Sequence, residues 1–362
     1  MRAVFAGGGS AGHLFPALAV AQRFLKSAPE AAAYFLAAQR PLDRQLLADL
    51  GHPHRLLAAT GFPYGLSPKM AVSVARLVLG GLQAFHACGR WRPQVIFGSG
   101  GYITAAAIPA AAWRGIPAVI HASDALPDRA NRHVARYAQV VTVAFAEAAE
   151  HFPHSRVVVT GQPVREEILN TDRATARQEL GYTPEDFVLL VTGGSQGARR
   201  LNEAVVAALP ALARQAVRVL HLTGRMDFAR VKEATADGRG GPGYTCREFE
   251  ARMGLALAAA DLVLMRAGSS SLAEAAAWRL PMLLVPLPAA GGHQRHNALP
   301  LVRSGAARLL ENDTLTGELL AETVLELQRD EAQRRTMAAA AEAWGARGAA
   351  ERIAALVIEA GR

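Results

Sequence analysis

Two glycine-rich segments of this chain have the residue types of phosphate-binding loops. Residues 7–12 read GGGSAG, and residues 193–199 read GGSQGAR. Glycines at such positions let backbone N–H groups approach an oxyanion closely, at the positive end of the helix that follows. Two such loops indicate an enzyme that binds a diphosphate donor and a second phosphorylated substrate. The alternative is that the glycines only permit tight packing between a strand and a helix.

His13 follows the first loop directly and is our candidate for a general base. In the first turn of a helix its imidazole would face a cleft between two domains, and histidine exchanges protons near neutral pH. The alternative is a histidine that only caps or hydrogen-bonds its own loop.

Three further segments carry polar residues after apolar, strand-like runs. Residues 98–102 (GSGGY) form another candidate anion-binding turn, although tight-turn glycines are an equal interpretation. Residues 265–275 (MRAGSSSLAEA) combine a basic residue, capping hydroxyls and a carboxylate, which suits a diphosphate and a ribose. The alternative is a carboxylate that only stabilises its own helix. Residues 292–298 (GHQRHNA) form a polar cluster of the kind that binds ligands at the carboxyl ends of parallel strands.

Nicotinamide and metal cofactors find little support in the sequence. The first loop matches G-x-G-x-x-G, but residues 37–40 read AAQR where the acidic residue that holds the ribose of NAD would stand. Arg40 leaves NADP open. The chain has no Asp-x-Asp and no His or Cys cluster with ligand spacing, so we expect no required cofactor and no metal site. Loop N–H groups, a helix end and arginines would then neutralise a leaving group.

The elements that must position these residues alternate between strand and helix. Strand, glycine loop and helix open the chain at residues 2–25, and the same order restarts at residues 187–212. Alternation of this kind predicts parallel sheets covered on both faces, and hence two α/β, doubly wound, Rossmann-like domains. Strands are expected at residues 2–6, 33–37, 94–97, 118–121, 140–143, 187–191, 217–222, 262–265 and 282–285.

The boundary between the two domains is expected near Gly161 and Pro163, which end a strand. We therefore place the first domain at residues 1–161 and the second at residues 162–341. The Ala-rich end of the chain predicts one long helix, or two with a break near Gly345 or Gly348, and residues 342–362 should pack back on the first domain.

Composition indicates a globular protein of a reducing compartment. The chain is 51% hydrophobic and 19% charged, and its 2 cysteines cannot form a disulfide framework. No apolar signal core opens the chain, and no apolar run reaches the roughly 18–20 residues of a membrane span. The net charge of +8 favours anionic lipid or phosphorylated molecules. The absence of basic runs and of nucleic-acid motifs argues against nucleic acid as a partner.

One segment suggests contact with a membrane surface. Residues 69–91 are rich in apolar side chains and carry Lys69, Arg76 and Arg90, while Trp113 and Arg114 follow later in the chain. An apolar patch with a cationic rim binds an anionic membrane surface without spanning it. The alternative is an ordinary core-packed helix with a solvated edge.

Taken in order, five segments resemble the motif series of the MurG family, within glycosyltransferase family 28. They are residues 8–13, 98–102, 193–202, 266–274 and 293–298. The resemblance implies a GT-B fold and an inverting glycosyltransferase that moves N-acetylglucosamine from UDP-GlcNAc to the C4 hydroxyl of lipid I. Lipid I is an undecaprenyl-diphosphate-linked muramyl-pentapeptide, and the product would be lipid II for peptidoglycan synthesis. The resemblance also implies a peripheral position on the cytoplasmic face of the inner membrane, beside other cell-wall and division proteins.

The resemblance assigns the donor mainly to the second domain and the acceptor to the first. Phe249 would cap the uracil, Glu274 would hold the ribose hydroxyls, and Arg165 would help Ser195 to bind the diphosphate. The implied UDP-GlcNAc-binding residues are Ser10, Ala11, Gly12, Arg165, Ser195, Gln196, Phe249, Arg266, Gly268, Ser269, Glu274, His293, Gln294 and Asn297. The implied acceptor-binding residues are Gly100, Gly101, Tyr102, His121 and Asp124. Asn202 matches a position that stabilises the second loop or contacts the donor.

Two segments depart from the family's pattern. The first loop has Ser10 and Ala11 where the family has Thr-Gly, which keeps a hydroxyl and a small side chain. Residues 121–124 read HASD where the family has His-Glu-Gln-Asn. This exchange makes Asp124 a second candidate for the base, beside His13.

Three other functions compete with this interpretation. A related GT-B transferase would act on another glycolipid, such as diacylglycerol, and the HASD segment keeps that alternative open. An NADP-linked oxidoreductase is supported by the first loop and Arg40 alone. A catalytically inactive subunit would bind a UDP-sugar without turning it over.

Overall fold

The protein is described by a computed structural model that covers residues 1–61, 69–288, 292–344 and 347–362. The chain forms two compact units, the first made of Met1–Arg165 with Arg347–Arg362 and the second of Glu166–Ala346. The units thus divide at 165/166 and 346/347, where the sequence led us to expect 161/162 and 341/342.

A sheet of seven parallel strands forms the centre of the first unit. Its strands are β1 (Arg2–Ala6), β2 (Ala32–Ala38), β3 (His54–Leu57), β4 (Val95–Gly98), β5 (Ala118–Ala122), β6 (Val140–Val143) and β7 (Val157–Val159). Their order in the sheet is β3-β2-β1-β4-β5-β6-β7, and Phe5 and Phe97 face each other across β1 and β4. The aromatic core of the unit is built on Phe5, whose ring contacts those of Phe24, Phe35 and Phe97. The direction of winding reverses between β1 and β4.

Helices cover both faces of this sheet. They are α1 (Ala11–Ser27), α2 (Pro41–Asp49), α3 (Lys69–Trp91), α4 (Gly101–Ala112) and α5 (Arg129–Val134). Two short 3₁₀ turns follow at Ala135–Tyr137 and Ala146–His151. Helix α4 is apolar nearly all round because it lies between the sheet and α3, and seven of its residues are buried.

The second unit repeats the arrangement on a sheet of six parallel strands. These are β8 (Val188–Thr192), β9 (Arg218–Leu222), β10 (Tyr244–Arg247), β11 (Leu262–Met265), β12 (Met282–Leu284) and β13 (Ala307–Leu309). Their order is β10-β9-β8-β11-β12-β13, so the winding reverses between β8 and β11. Its helices are α6 (Glu166–Leu169), α7 (Arg173–Leu180), α8 (Arg199–Arg214), α9 (Phe228–Ala234), α10 (Met253–Ala259), α11 (Ser269–Ala277), α12 (His293–Arg303), α13 (Gly317–Arg329) and α14 (Glu331–Ala343).

A last helix, α15 (Ala349–Ala360), belongs to the first unit. Its residues Ile353 and Val357 are fully buried in the core that α1 shares with the sheet. The Arg352 guanidinium donates to the carbonyl of Thr160 at 2.6 Å, which fixes the helix beside the end of β7. Gly348, with φ +79°, precedes the helix, whereas Gly345 lies outside the described residues.

The predicted doubly wound α/β fold is confirmed in each unit. All nine predicted strands exist, and four further strands, β3, β7, β10 and β13, were not predicted. These four are the edges of the two sheets. An edge strand is covered on fewer sides, and β3, β10 and β13 each contain polar residues that interrupt an apolar run. Strand β7 is apolar, but its three valines are shorter than the runs by which the inner strands are recognised.

Helix α3 corrects one expectation drawn from the sequence. Although polar residues interrupt its apolar run, Met70–Trp91 is long and apolar enough to cross a membrane by length and composition, with a mean hydropathy of 1.3. Its buried positions include Ala84 and Cys88, on the side that packs against α4 and β3. The opposite side is exposed and carries Val78 and Leu82.

Candidate functional site

The predicted loops of the first unit lie where the winding of its sheet reverses. The first glycine loop leaves β1 and opens α1, and residues 99–100 leave β4 and open α4. Because β1 and β4 are neighbours, the two loops lie side by side, and the Ser99 hydroxyl donates to the carbonyl of His13 at 2.5 Å. This is the crevice in which open α/β sheets bind their ligands.

His13 occupies the third position of α1 and packs directly on the second of these loops. A Cβ atom added at Gly101 would lie 2.8 Å from His13 Nδ1, and Gly101 has φ +71°, so glycine is required there. His13 Nδ1 is 3.1 Å from the hydroxyl of Ser10, and Nε2 is 3.8 Å from a carboxylate oxygen of Asp128. The structure thus brings together the predicted residues His13, Ser10, Gly100 and Gly101 and adds Asp128, which we did not predict.

Asp43 holds the first glycine loop from below and was also missed by the sequence analysis. Its buried Oδ2 accepts from the backbone N–H of Gly9 at 2.9 Å and of Ala38 at 3.1 Å. The Gly9 N–H is therefore not free to bind an oxyanion, and a carboxylate lies under the loop. The two glycine loops, although similar in sequence, thus differ in the groups that surround their backbone.

Tyr102 covers the same loop from the other side. A Cβ atom at Gly9, where φ is +83°, would lie 2.2 Å from the Tyr102 hydroxyl oxygen, so the side chain fits only over glycine. Burial raises the pKa of the Tyr102 hydroxyl, while Arg40 lowers it in part. Tyr102 therefore stays protonated and can donate a hydrogen bond at the mouth of the loop.

His121 and Asp124 lie at and after the end of β5, with different exposures. The His121 imidazole is fully buried, with Nδ1 3.0 Å from the Thr142 hydroxyl and Nε2 2.8 Å from Gln162 Oε1. Asp124 is partly exposed in the following loop. The structure does not bring the His121 side chain to the surface formed around His13.

The second glycine loop leaves β8 and opens α8, where the winding of the second sheet reverses. Ser195 and Gln196 are exposed at its tip, as a ligand-binding role requires. Gly197, with φ +92°, packs so closely on the next strand's loop that an added Cβ atom would lie 2.7 Å from the Thr223 carbonyl oxygen.

A buried polar network supports this loop from within. The Asn202 amide donates to the carbonyl of Thr223 at 3.0 Å and to Asp227 Oδ2 at 2.9 Å, and its Oδ1 lies 3.0 Å from His221 Nε2. The Tyr244 hydroxyl is 3.0 Å from the other imidazole nitrogen of His221. Asn202 thus links the loops after β8 and β9, in agreement with a loop-stabilising position.

Polar residues after β11 and β12 are joined to one another by hydrogen bonds. Gln294 Oε1 accepts from the backbone N–H of Ala267 at 3.2 Å and of Leu287 at 2.9 Å, and the Asn297 amide donates to the Ala267 carbonyl at 3.2 Å. The Arg266 guanidinium donates to the carbonyl of Val285 at 2.9 Å and to Asn312 Oδ1 at 2.9 Å. Arg266 therefore ties two strand ends together, and burial lowers its pKa.

Helix α11 begins at Ser269, one residue earlier than it would if Ser269 were its N-cap. Gly268 is its N-cap and has no capping side chain, so Ser269 lies inside the first turn. The expectation that a serine hydroxyl caps this helix is wrong, because the N-cap position falls on Gly268, which has no side chain to accept a hydrogen bond. Glu274 follows on the same helix and is partly exposed.

The remaining predicted donor residues lie apart from these clusters. Phe249 follows β10 and is 59% exposed, as a side chain that stacks on a base must be. Arg165 ends the first unit, and its guanidinium lies over the ring of Phe15 in α1, 3.9 Å from its centre. Gly12 and His293 stand in the first turns of α1 and α12. The described residues contain no group of three His, Cys, Asp or Glu side chains that could hold a metal ion.

The two buried imidazoles make stability depend on pH. Burial lowers the pKa of His121 to about 4 and that of His221 to about 3. Below pH 6.5 the unfolded chain binds a proton at each position that the native protein does not bind, so the free energy of unfolding falls as the pH falls from 6.5 towards 4. We expect His121 alone to contribute a loss of about 2 kcal/mol between pH 6.5 and 5.

Urea unfolding of the wild type and of His121→Gln and His221→Gln at pH 7 and pH 5 checks this expectation. Each substitution should remove part of the pH dependence, His121→Gln in the first unit and His221→Gln in the second. Equal pH dependence in all three proteins would contradict it.

Family models match both units of the chain. The Glycosyltransferase family 28 N-terminal domain matches residues 3–143, and the Glycosyltransferase family 28 C-terminal domain matches residues 188–353.

Relatives of the same length are similar to the chain from end to end. A protein of Desulforudis audaxviator is 40% identical over 95% of this chain and 94% of its own length. A protein of Nocardioides is 40% identical over 100% of this chain and 98% of its own length. Both are named UDP-N-acetylglucosamine--N-acetylmuramyl-(pentapeptide) pyrophosphoryl-undecaprenol N-acetylglucosamine transferase.

Solved structures share the fold. Acinetobacter baumannii MurG superposes with a TM-score of 0.72 at 25% identity, over 99% of both chains. Staphylococcus aureus MnaA, solved with UDP, superposes with a TM-score of 0.67 at 15% identity, over 97% of this chain and 94% of its own, which is a likeness of fold alone.

Proposed function

The chain belongs to glycosyltransferase family 28, and on that premise we propose that it transfers N-acetylglucosamine from UDP-GlcNAc to the C4 hydroxyl of lipid I, forming lipid II. The observation that carries the proposal is the 40% identity to transferases of that name over nearly the whole chain. Identity at this level over both units, together with both glycine loops, favours a common reaction over a shared fold alone.

The donor is held mainly by the second unit. The exposed tip of its glycine loop, at Ser195 and Gln196, offers backbone N–H groups and two polar side chains to a diphosphate at the start of α8. Phe249 supplies an exposed ring for the uracil, and Glu274 a carboxylate for the ribose. Gln294 reaches the sugar through its amide N–H₂ group, since its carbonyl oxygen already accepts two backbone N–H groups.

The acceptor is held by the first unit, and the reaction is a single displacement. The C4 oxygen of the muramyl sugar attacks the anomeric carbon as the bond to UDP breaks, so the configuration inverts. His13 takes the proton of the attacking hydroxyl. Tyr102 donates a hydrogen bond beside it, and Gly100 and Gly101 let the imidazole pack closely on their loop.

The charge that develops on UDP is neutralised by the second loop and not by the first. Backbone N–H groups at the start of α8 face this charge at the positive end of a helix. Asp43 makes the first loop unsuited to the same task, because it places a carboxylate against Gly9. We propose that no metal cofactor is required, in line with the absence of an Asp-x-Asp segment from the sequence.

The experiment that tests the function is transfer of labelled N-acetylglucosamine to a lipid I analogue. A diacylglycerol acceptor is assayed in parallel, because the HASD segment at residues 121–124 keeps a different glycolipid open. Transfer to the lipid I analogue alone supports the proposal. Transfer to diacylglycerol alone would mean that the acceptor is a different glycolipid and not lipid I. Binding of UDP-GlcNAc without transfer to either acceptor would indicate an inactive subunit.

The exposed side of α3 is the surface that we propose for the membrane. Val72, Val74, Val78, Leu79 and Leu82 are each 46–58% exposed, and Trp113 at the end of α4 is 80% exposed. The exposed Arg76 and Arg90 lie on the same helix, and the Arg114 guanidinium lies 3.7 Å from the centre of the Phe85 ring. Apolar side chains within a cationic rim match an anionic lipid surface. We propose that this surface holds the enzyme on the cytoplasmic face of the inner membrane, beside cell-wall and division proteins.

Charge placed within this surface should abolish membrane binding. We expect the double variant Val78→Asp, Leu82→Asp to lose most of its co-sedimentation with anionic liposomes at low salt. Burial of these side chains would otherwise contribute roughly 1–2 kcal/mol each. Val159→Asp is the matched control, since Val159 is 55% exposed on the far edge strand of the same unit. Binding of the double variant equal to that of the control would exclude this surface.

A further inference from the structure

Asp128 lies beside the general base without belonging to any of the predicted site segments. It is the N-cap of α5, and its Oδ1 accepts from the Asn131 N–H at 2.6 Å. Its other oxygen, Oδ2, accepts from the Gly101 N–H at 3.0 Å. The carboxylate is therefore fixed by two backbone donors, one on its own helix and one in the loop on which His13 packs.

The imidazole of His13 stands between two oxygens of different character. Nε2 faces Asp128 Oδ2 at 3.8 Å, and Nδ1 faces the Ser10 hydroxyl at 3.1 Å. Both side chains of the pair are half-buried, 28% and 30% exposed, so solvent reaches the ring without separating it from the carboxylate. A carboxylate accepts hydrogen bonds only, whereas a hydroxyl both donates and accepts.

We infer that Asp128 is a positioning residue for His13 in the reaction. The carboxylate favours the tautomer that carries its proton on Nε2, which leaves the lone pair of Nδ1 as the proton acceptor. It also stabilises the imidazolium that forms when the base is protonated. The catalytic part of this inference rests on the proposed function. The tautomer of His13 does not, because it can be measured in the free enzyme.

The arrangement defines where the proton goes. The acceptor hydroxyl binds at His13 Nδ1, in place of the Ser10 hydroxyl. As its oxygen forms the bond to the anomeric carbon, its proton moves to Nδ1 and the bonding electrons of the donor leave with UDP. The positive charge then lies on a ring whose Nε2–H points at Asp128. Contacts of this kind are often long in a free enzyme and shorten in the reacting complex.

Asp124, the carboxylate that the sequence offered as an alternative base, stands in the loop after β5. Two backbone hydrogen bonds hold the Asp128 carboxylate, whose Oδ2 lies 3.8 Å from the His13 ring. Asp128 is therefore the acidic residue that the structure pairs with His13 among the described side chains.

The variant that tests the pairing is Asp128→Ser, because serine remains a good N-cap for α5 and removes the carboxylate. Nitrogen NMR of histidine-labelled protein reports the tautomer, with the His13 signal assigned by its loss in His13→Ala. We expect the wild type to hold the proton on Nε2 and Asp128→Ser to show a mixture of tautomers. A proton on Nδ1 in the wild type, or an unchanged tautomer in the variant, would overturn the inference.

Kinetics supply the second readout. Asp128→Ser should lower kcat by about 10–100-fold and leave the KM for UDP-GlcNAc unchanged. The expected loss is smaller than in a Ser-His-Asp triad, because there the carboxylate is hydrogen-bonded to the histidine. In a His13→Ala background the same substitution should have little further effect, because Asp128 acts through His13. An equal loss in both backgrounds would overturn the pairing. If the wild type transfers nothing to lipid I, the proposed function fails, and the NMR result still decides the pairing.

Discussion

Replacement of His13 by alanine should lower kcat for transfer to lipid I by about 100- to 10,000-fold, the usual contribution of a general base. The KM for UDP-GlcNAc should change little, because we propose that the second unit holds most of the donor. Steady-state transfer of labelled N-acetylglucosamine measures both constants. We assign the reduction to the chemical step, since alanine favours the helical start of α1 and removes the proton acceptor.

His133→Ala is the matched control for this variant. His133 is an exposed histidine of the same unit, on α5, and its ring nitrogen lies 3.1 Å from the Arg136 guanidinium. It should keep wild-type turnover. If His13→Ala kept wild-type turnover while Asp124→Ala abolished it, the base would be Asp124, and the pairing of His13 with Asp128 would have no catalytic role.

Alanine in place of Gly197 should weaken the binding of UDP-GlcNAc by about 10–100-fold, the equivalent of about 1.4–2.7 kcal/mol. The φ of +92° disfavours any side chain, and the added Cβ atom would lie 2.7 Å from the Thr223 carbonyl oxygen and 3.3 Å from Asp227 Oδ2. The loop must then move away from Asn202, and the N–H groups that we propose for binding the diphosphate move with it. Calorimetric titration with UDP-GlcNAc measures the loss.

Gly181→Ala is the control that separates backbone strain at positive φ from a steric clash of the added Cβ atom. Gly181 has φ +77° at the end of α7 in the same unit, and no atom lies within 4 Å of an added Cβ. It should lose about 1 kcal/mol of stability and bind UDP-GlcNAc as the wild type does. Equal affinity in Gly197→Ala and Gly181→Ala would mean that the second loop does not bind the donor.

Local signals in the sequence located the glycine loops and the inner strands. A strand buried on both faces is a continuous apolar run, and a loop that needs positive φ is rich in glycine. Both can therefore be recognised from residues that are adjacent in the sequence. His13 could be singled out for the same reason, because its position follows directly from the loop before it. The edge strands are short or contain polar residues, and they were missed.

The carboxylates that complete the site could not be found in this way. Asp43 contacts Gly9 across 34 positions, and Asp128 reaches His13 from a different helix. The residues next to an aspartate in the sequence do not indicate which distant backbone N–H group its carboxylate will bind. Likewise His121 has the residue type of a ligand-binding group, and only the sheet shows that β5 points its imidazole into the core.

The first unit cannot complete its fold until the ribosome has also made the second unit. Helix α15, which supplies Ile353 and Val357 to the core of the first unit, is translated after residues 166–346. At about 5–20 residues per second, residues 166–362 take about 10–40 s to synthesise, and during that time the nascent first unit exposes the apolar surface that α15 will cover. A premature stop codon that removes α15 would therefore destabilise the part of the protein that was made first.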